Sequence, residues 1–152
     1  MIFQTGLFLH MTGIILIAGG SIGSIITESL FWKNVQQDLQ KAKGIAPLLL
    51  KFPLVIVRGA LLMLISGILM LYSVNRAFWG QTWFTIKILL FISLVLNGRL
   101  SGRPTFIKIV QEVQATELRT GKLGELKNKI RRFHFIQFTM LFMLIALAIF
   151  KP

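Results

Sequence analysis

Long apolar runs alternate with basic, polar stretches along this chain. Four runs stand out: Leu7 to Leu30, Pro53 to Val74, Gln81 to Gly98 and His134 to Phe150, each 17 to 24 residues long. Crossing ~30 Å of hydrocarbon takes ~20 residues at a rise of 1.5 Å each. The pattern therefore predicts an all-α polytopic membrane protein, an up-down four-transmembrane-helix bundle forming a single integral membrane domain over 1–152. A transmembrane barrel would need ten-residue alternating stretches, and none appears. The first run has no basic segment before it and is too long for a signal-peptide core, so it reads as a retained helix.

The connections differ in length and character. Asn75 to Gly80 reads as a tight turn at a membrane interface, flanked by Trp79 and Trp83 in the manner of an aromatic belt. Pro47 and Pro53 can start helices and cannot continue them. The long connection over 99–133 carries Phe106, Ile107, Val110, Val113 and Leu118 at roughly helical spacing, with Lys108, Glu112 and Glu117 on other faces. That spacing predicts an interfacial helix that extends the third span or lies on the membrane, broken at Gly121–Gly124 before a second basic stretch. A solvated linker whose charges merely fix topology is the competing expectation.

Composition agrees with the apolar pattern. The chain is 55% hydrophobic and 14% charged, with mean hydropathy +0.74, where a soluble domain carries about 25% charged residues. Its net charge of +12 would suggest nucleic acid in a soluble protein, but the distribution argues against that partner. Thirteen basic residues fall in the two long connections over 31–52 and 99–133, against Arg76 and Lys151 on the other side. The bias predicts cytoplasmic long connections, external termini and a cell inner membrane with anionic headgroups as the surface these charges meet. With no cysteine, disulfides and thiolate metal sites are excluded. Five acidic residues leave little for a carboxylate-rich Mg²⁺ or Ca²⁺ site. No nucleotide-binding, metalloprotease or Ser-His-Asp motif is present.

The candidate chemistry lies in ionisable residues within the apolar runs. Each costs at least ~2.5–3.5 kcal/mol to insert at mid-bilayer, so such groups mark sites or pairs. His10 and Glu28 stand eighteen residues apart, five helical turns, and so share a face with Gly13, Ile17, Ser21 and Ser24 while lying about 27 Å apart. Gly19-x-x-x-Gly23 and Gly20-x-x-x-Ser24 suggest close helix packing or room for a flat ligand. Arg58 falls in the inner third of the second span, where an ion pair with Glu28 is the natural expectation. Lys87 lies two turns into the third span, in the leaflet of His10, and either snorkels to the surface or points inward to an anionic ligand group. His134, beside Arg131 and Arg132, reads as a headgroup contact. Its position in the opposite leaflet argues against His10 and His134 clamping one metal.

Phe8-Leu9-His10 precedes the Gly19-Gly20 pair, Trp83-x-x-x-Lys87 stands in the third span, and the chain ends Lys151-Pro152. Together these resemble the HemJ-type protoporphyrinogen oxidases and the related CopD-like small membrane proteins. The resemblance implies a four- or five-helix bundle that binds haem b, oxidises protoporphyrinogen IX and passes electrons into the respiratory chain. It implies His10 as haem ligand, and Lys87 as a cation beside a propionate or a substrate carboxylate. Trp83 would be the packing neighbour of Lys87, and Arg58 a looser match to family arginines. The chain departs from the pattern at Ile136, Gln137 and Thr139, where the family has an Asn-Glu pair and a proline. It departs again at Thr27, Glu28 and Ser29, where relatives carry a further histidine. The expected function is a haem-b-binding membrane redox protein. The alternatives are a non-catalytic subunit of a larger respiratory or photosynthetic complex, or a homo-oligomer, and last a CopD-like metal-ion transporter. The methionines needed for a transporter scatter over several faces.

Overall fold

The structure is a computed structural model that describes residues 1–75, 78–115 and 120–150. Arg76, Glu117, Leu118, Arg119 and the Lys151-Pro152 ending lie outside the described residues. The chain is all-helical: α1 Ile2–Gln37, α2 Leu39–Ile45, a 3₁₀ turn Ala46–Leu50, α3 Phe52–Ser73, α4 Thr82–Asn97, a π-helical turn Gly98–Gly102, α5 Arg103–Gln114 and α6 Thr120–Phe150. Four helical stretches are long and apolar enough to cross a membrane, as the hydropathy pattern predicts.

Two of these helices overrun their apolar segments. α1 continues seven residues past Leu30, and α6 begins fourteen residues before His134. Gly121 and Gly124 do not break α6, and a β-carbon at either would meet only open space. Hydropathy misses both extensions because their outward residues are polar, Lys33, Asn34, Gln36 and Gln37 in α1 and mostly lysines and arginines in α6.

The extensions build the larger of two apolar cores. Phe31 of α1 meets Ala42 of α2, Leu49 of the 3₁₀ turn, Phe106, Ile109 and Val113 of α5, and Leu123, Leu126, Ile130 and Phe133 of α6. α5 thus extends the third span through the π-helical turn, as one of the two expectations has it, and buries its apolar face in a basic-end lobe while Arg103, Lys108, Gln111 and Gln114 stay exposed. Ile109 takes a core position, while Ile107 is only partly buried. An ion pair between Lys122 and Glu112 ties α6 to α5, and the Lys127 ammonium sits 5.6 Å from the Trp32 ring centre. Asp38 starts α2 by accepting from the backbone N–H groups of Gln40 and Lys41, at 3.1 and 3.2 Å. The Lys41 backbone and its ammonium, 3.1 Å away, hold the Asp38 carboxyl below its ordinary range.

The second core lies within the spans: Ile17, Ala60, Leu94, Leu141 and Leu144, one or two from each crossing helix. α1 and α3 form the closest pair, packed antiparallel. Their contact runs along Gly6, Gly13 and Gly20, a seven-residue repeat in α1, opposed by Met70, Met63 with Gly59, and Ile56. At the tightest point, a β-carbon added to Gly13 would stand 2.9 Å from the Gly59 carbonyl oxygen, and one added to Gly59 equally close to that of Gly13. The expected Gly19-x-x-x-Gly23 pair does not act as a unit. Gly19 faces open space, and only Gly23 is close-packed, against the Phe52 ring. The turn between α3 and α4 uses left-handed backbone at Asn75 (φ 48°) and Gly80 (φ 92°), residue types that tolerate it at low cost.

Candidate functional site

The polar face of α1 predicted from spacing is the buried face. Gly13, Ile17, Ser21, Ser24 and Glu28 are buried, and His10 is half-buried. The ionisable groups along it fall into two places separated by the apolar core around Ile17.

Toward the α3–α4 turn, His10 Nδ1 lies 2.9 Å from the hydroxyl of the fully buried Ser66. Ser66 in turn donates to the Met63 carbonyl at 3.0 Å. A hydroxyl has one hydrogen, so satisfying both contacts makes Nδ1–H the donor and leaves Nε2 of a neutral ring with its lone pair. Lys87 on α4 lies close enough to act on the imidazole electrostatically. Lys87 therefore lies on the His10 side of the bundle, within electrostatic range of the ring. Trp83, one turn before Lys87, stacks edge-on with Phe78 and Phe84 at 5.4 and 5.8 Å, closing the aromatic end of α4.

Toward the basic end, Glu28 and His134 meet across α1 and α6. Oε2 of Glu28 and Nε2 of His134 are 2.8 Å apart, with 9% and 8% of the two residues exposed. The contact does not meet hydrogen-bond geometry at Nε2, so the two side chains are in close contact without a straight hydrogen bond between them. Trp32 Nε1 donates to the other carboxylate oxygen at 3.0 Å. Phe106 and Phe133 pack around the imidazole, with ring centres 6.1 and 5.1 Å away. One turn further along α6, Gln137 accepts from Asn97 of α4 at 3.1 Å. Beside this cluster the π-helical turn brings Gly102 against the Phe133 ring, where a β-carbon would stand 2.6 Å from Cζ.

Two expectations need correcting. His134 is not a headgroup contact, since it is buried and paired with Glu28. Arg58 does not pair with Glu28. Its neighbour Gly59 packs at the level of Leu16 and Ile17, roughly 17 Å along α1 from Glu28, and Arg58 itself is exposed on the opposite face of α3. Neither the relative depth of Arg58 and Glu28 nor the facing of Arg58 on α3 was readable from sequence, because both depend on the register of α3 against α1. Ser66, Trp32 and Asn97 were missed. Their signal was present as single polar groups inside or at the rim of apolar runs, each needing a partner.

Met63 and Met70 fill the glycine seam of α1. Among the described residues, no group of three or more histidine or acidic side chains converges on one point.

A family model described as a predicted integral membrane protein, DUF2269, matches residues 5–152. The chain belongs to that family. This DUF2269 member is thus an integral membrane protein with four candidate spans. Searches of curated proteins and of solved structures give no match.

Proposed function

We propose that this DUF2269 protein is a membrane redox protein that holds one haem b through His10, in the manner of the HemJ-type proteins it resembles. The observation that carries the reading is the anchored imidazole. With Nδ1 against the Ser66 hydroxyl and that hydroxyl donating to Met63, Nε2 of the neutral ring would keep its lone pair, the arrangement in which a histidine serves as an oriented metal ligand. Lys87 would meet a propionate or a substrate carboxylate, and Trp83 would wall the aromatic end. Arg58 does not fit this role, because it faces away from His10 on the outer side of α3. His134 is engaged with Glu28, so the donor set supports a single protein ligand.

The haem would supply one-electron transfer, serving either a porphyrinogen substrate or another carrier in the membrane. The chain's own residues would orient the ring through Ser66 and bring the Lys87 charge to bear on it. The test is an optical spectrum of gently purified protein, oxidised and then dithionite-reduced. A Soret band that disappears in His10→Ala and weakens in Ser66→Ala is expected. Absence of the band, or full haem content in His10→Ala, refutes the reading. If the band is present, the rise of porphyrin fluorescence from added protoporphyrinogen IX separates the oxidase from an electron relay.

A further inference from the structure

We infer that the Arg58 stripe of α3 docks the transmembrane helix of a different membrane protein, one that carries an aspartate or glutamate at matching depth. The inference does not depend on haem at His10. Arg58 lies six residues into α3, about 9 Å from Phe52 along the axis. It shares an exposed stripe with Leu54, Leu61, Ile65, Ile68 and Tyr72. The stripe is otherwise apolar, as lipid would require. A guanidinium set into it at that depth is costly unless something there accepts its five N–H donors.

The occupant follows from charge. The chain has five acidic residues, Glu28, Asp38, Glu112, Glu117 and Glu125. Glu28 is buried and bound to His134 and Trp32, and the other four lie in the sequence outside the apolar runs. A second copy of this chain therefore has no carboxylate to offer at the depth of Arg58. The complement must come from another chain, as a carboxylate on a helix whose apolar side chains cover Leu61 and Ile65. Arginine suits the pairing because its planar fork binds a carboxylate bidentately. The competing arrangement is snorkelling, since the stem leans toward the start of α3 and could lift the charge to the headgroups.

A photo-activatable residue at Leu61 or Ile65, introduced into the full chain and irradiated in native membranes, tests the inference. The expected result is a discrete adduct with a second membrane protein. Its crosslinked peptide should contain an acidic residue within an apolar run. Adduct yield should fall at least tenfold in Arg58→Leu and recover in a charge swap that pairs Arg58→Glu with arginine at the partner's acidic position. Gel filtration checks that Arg58→Leu still folds. Adducts to lipid alone, adducts to a second copy of the chain, or a yield indifferent to Arg58→Leu would each overturn the proposal.

Discussion

Substituting alanine at Gly13 and at Gly19 should shift stability in opposite directions, although the two sites lie six residues apart in one helix. At Gly13 the new β-carbon would stand 2.6 Å from Met63 Cγ, 2.9 Å from the Gly59 oxygen and 3.1 Å from the Met63 nitrogen. The methionine side chain can move, but the two backbone atoms cannot. Ordinary carbon–oxygen contacts lie near ~3.3–3.6 Å, so α1 and α3 would have to separate by roughly 0.5 Å along their whole seam. Overpacking of this kind costs about 1–3 kcal/mol, against a gain of ~1 kcal/mol from replacing glycine in a helix. At Gly19 nothing lies within 4 Å, and only the gain remains. The difference between the variants should be about 2 kcal/mol, a roughly thirtyfold change in the folded-to-unfolded ratio. Reversible unfolding in mixed micelles, followed by tryptophan fluorescence, would measure it. Gly59→Ala should behave like Gly13→Ala, and the double variant should cost less than the sum, because one separation relieves both clashes. Equal stabilities for Gly13→Ala and Gly19→Ala would refute the seam.

Other expectations follow from the same contacts. A double-mutant cycle with Glu28→Gln and His134→Ala should give a coupling of about 1 kcal/mol in unfolding free energy, within the range of polar contacts between membrane helices, while Glu28 and Arg58 should show none. Because the chain has no cysteine, single cysteines report topology cleanly. A membrane-impermeant maleimide should label Lys43→Cys only after the cytoplasmic side is opened, and Gly80→Cys in intact cells. Asp38 is held below its ordinary range as the α2 cap, so its support of that helix is complete above the unfolded carboxyl value of ~3.9. It is lost as pH falls through the lower folded value. Amide exchange at Gln40 and Lys41 should accelerate there in the wild type and already at neutral pH in Asp38→Ala.

The membrane spans were legible because a bilayer demands length and apolarity together, and the His10–Glu28 face was legible because eighteen residues is five whole turns. The helix ends were not. Lysines and arginines mask the apolar stripe of Leu123, Leu126 and Ile130, which buries itself against α5 and α1. The glycine seam escaped notice because its repeat is seven residues, Gly6 to Gly13 to Gly20, whereas the small residues most visible in sequence are four apart. Pairing was the least legible layer. Glu28 had two plausible cations at the right end of the bundle, and only the register of α1 against α3 and α6 decides for His134 over Arg58.

α1 is one uninterrupted rod of 36 residues, about 54 Å long by its rise per residue, nearly twice the ~30 Å hydrocarbon layer. One end carries the imidazole, and the other is clamped in the basic-end lobe through Phe31. Biogenesis is constrained accordingly. Until α5 and α6 have been synthesised, Phe31 and Leu49 have only each other and the short α2 and 3₁₀ segments as cover, so a nascent chain halted after α4 would present a greasy stump to chaperones and membrane proteases. Truncated forms of this protein should be cleared rapidly even though three of the four crossings are already in place.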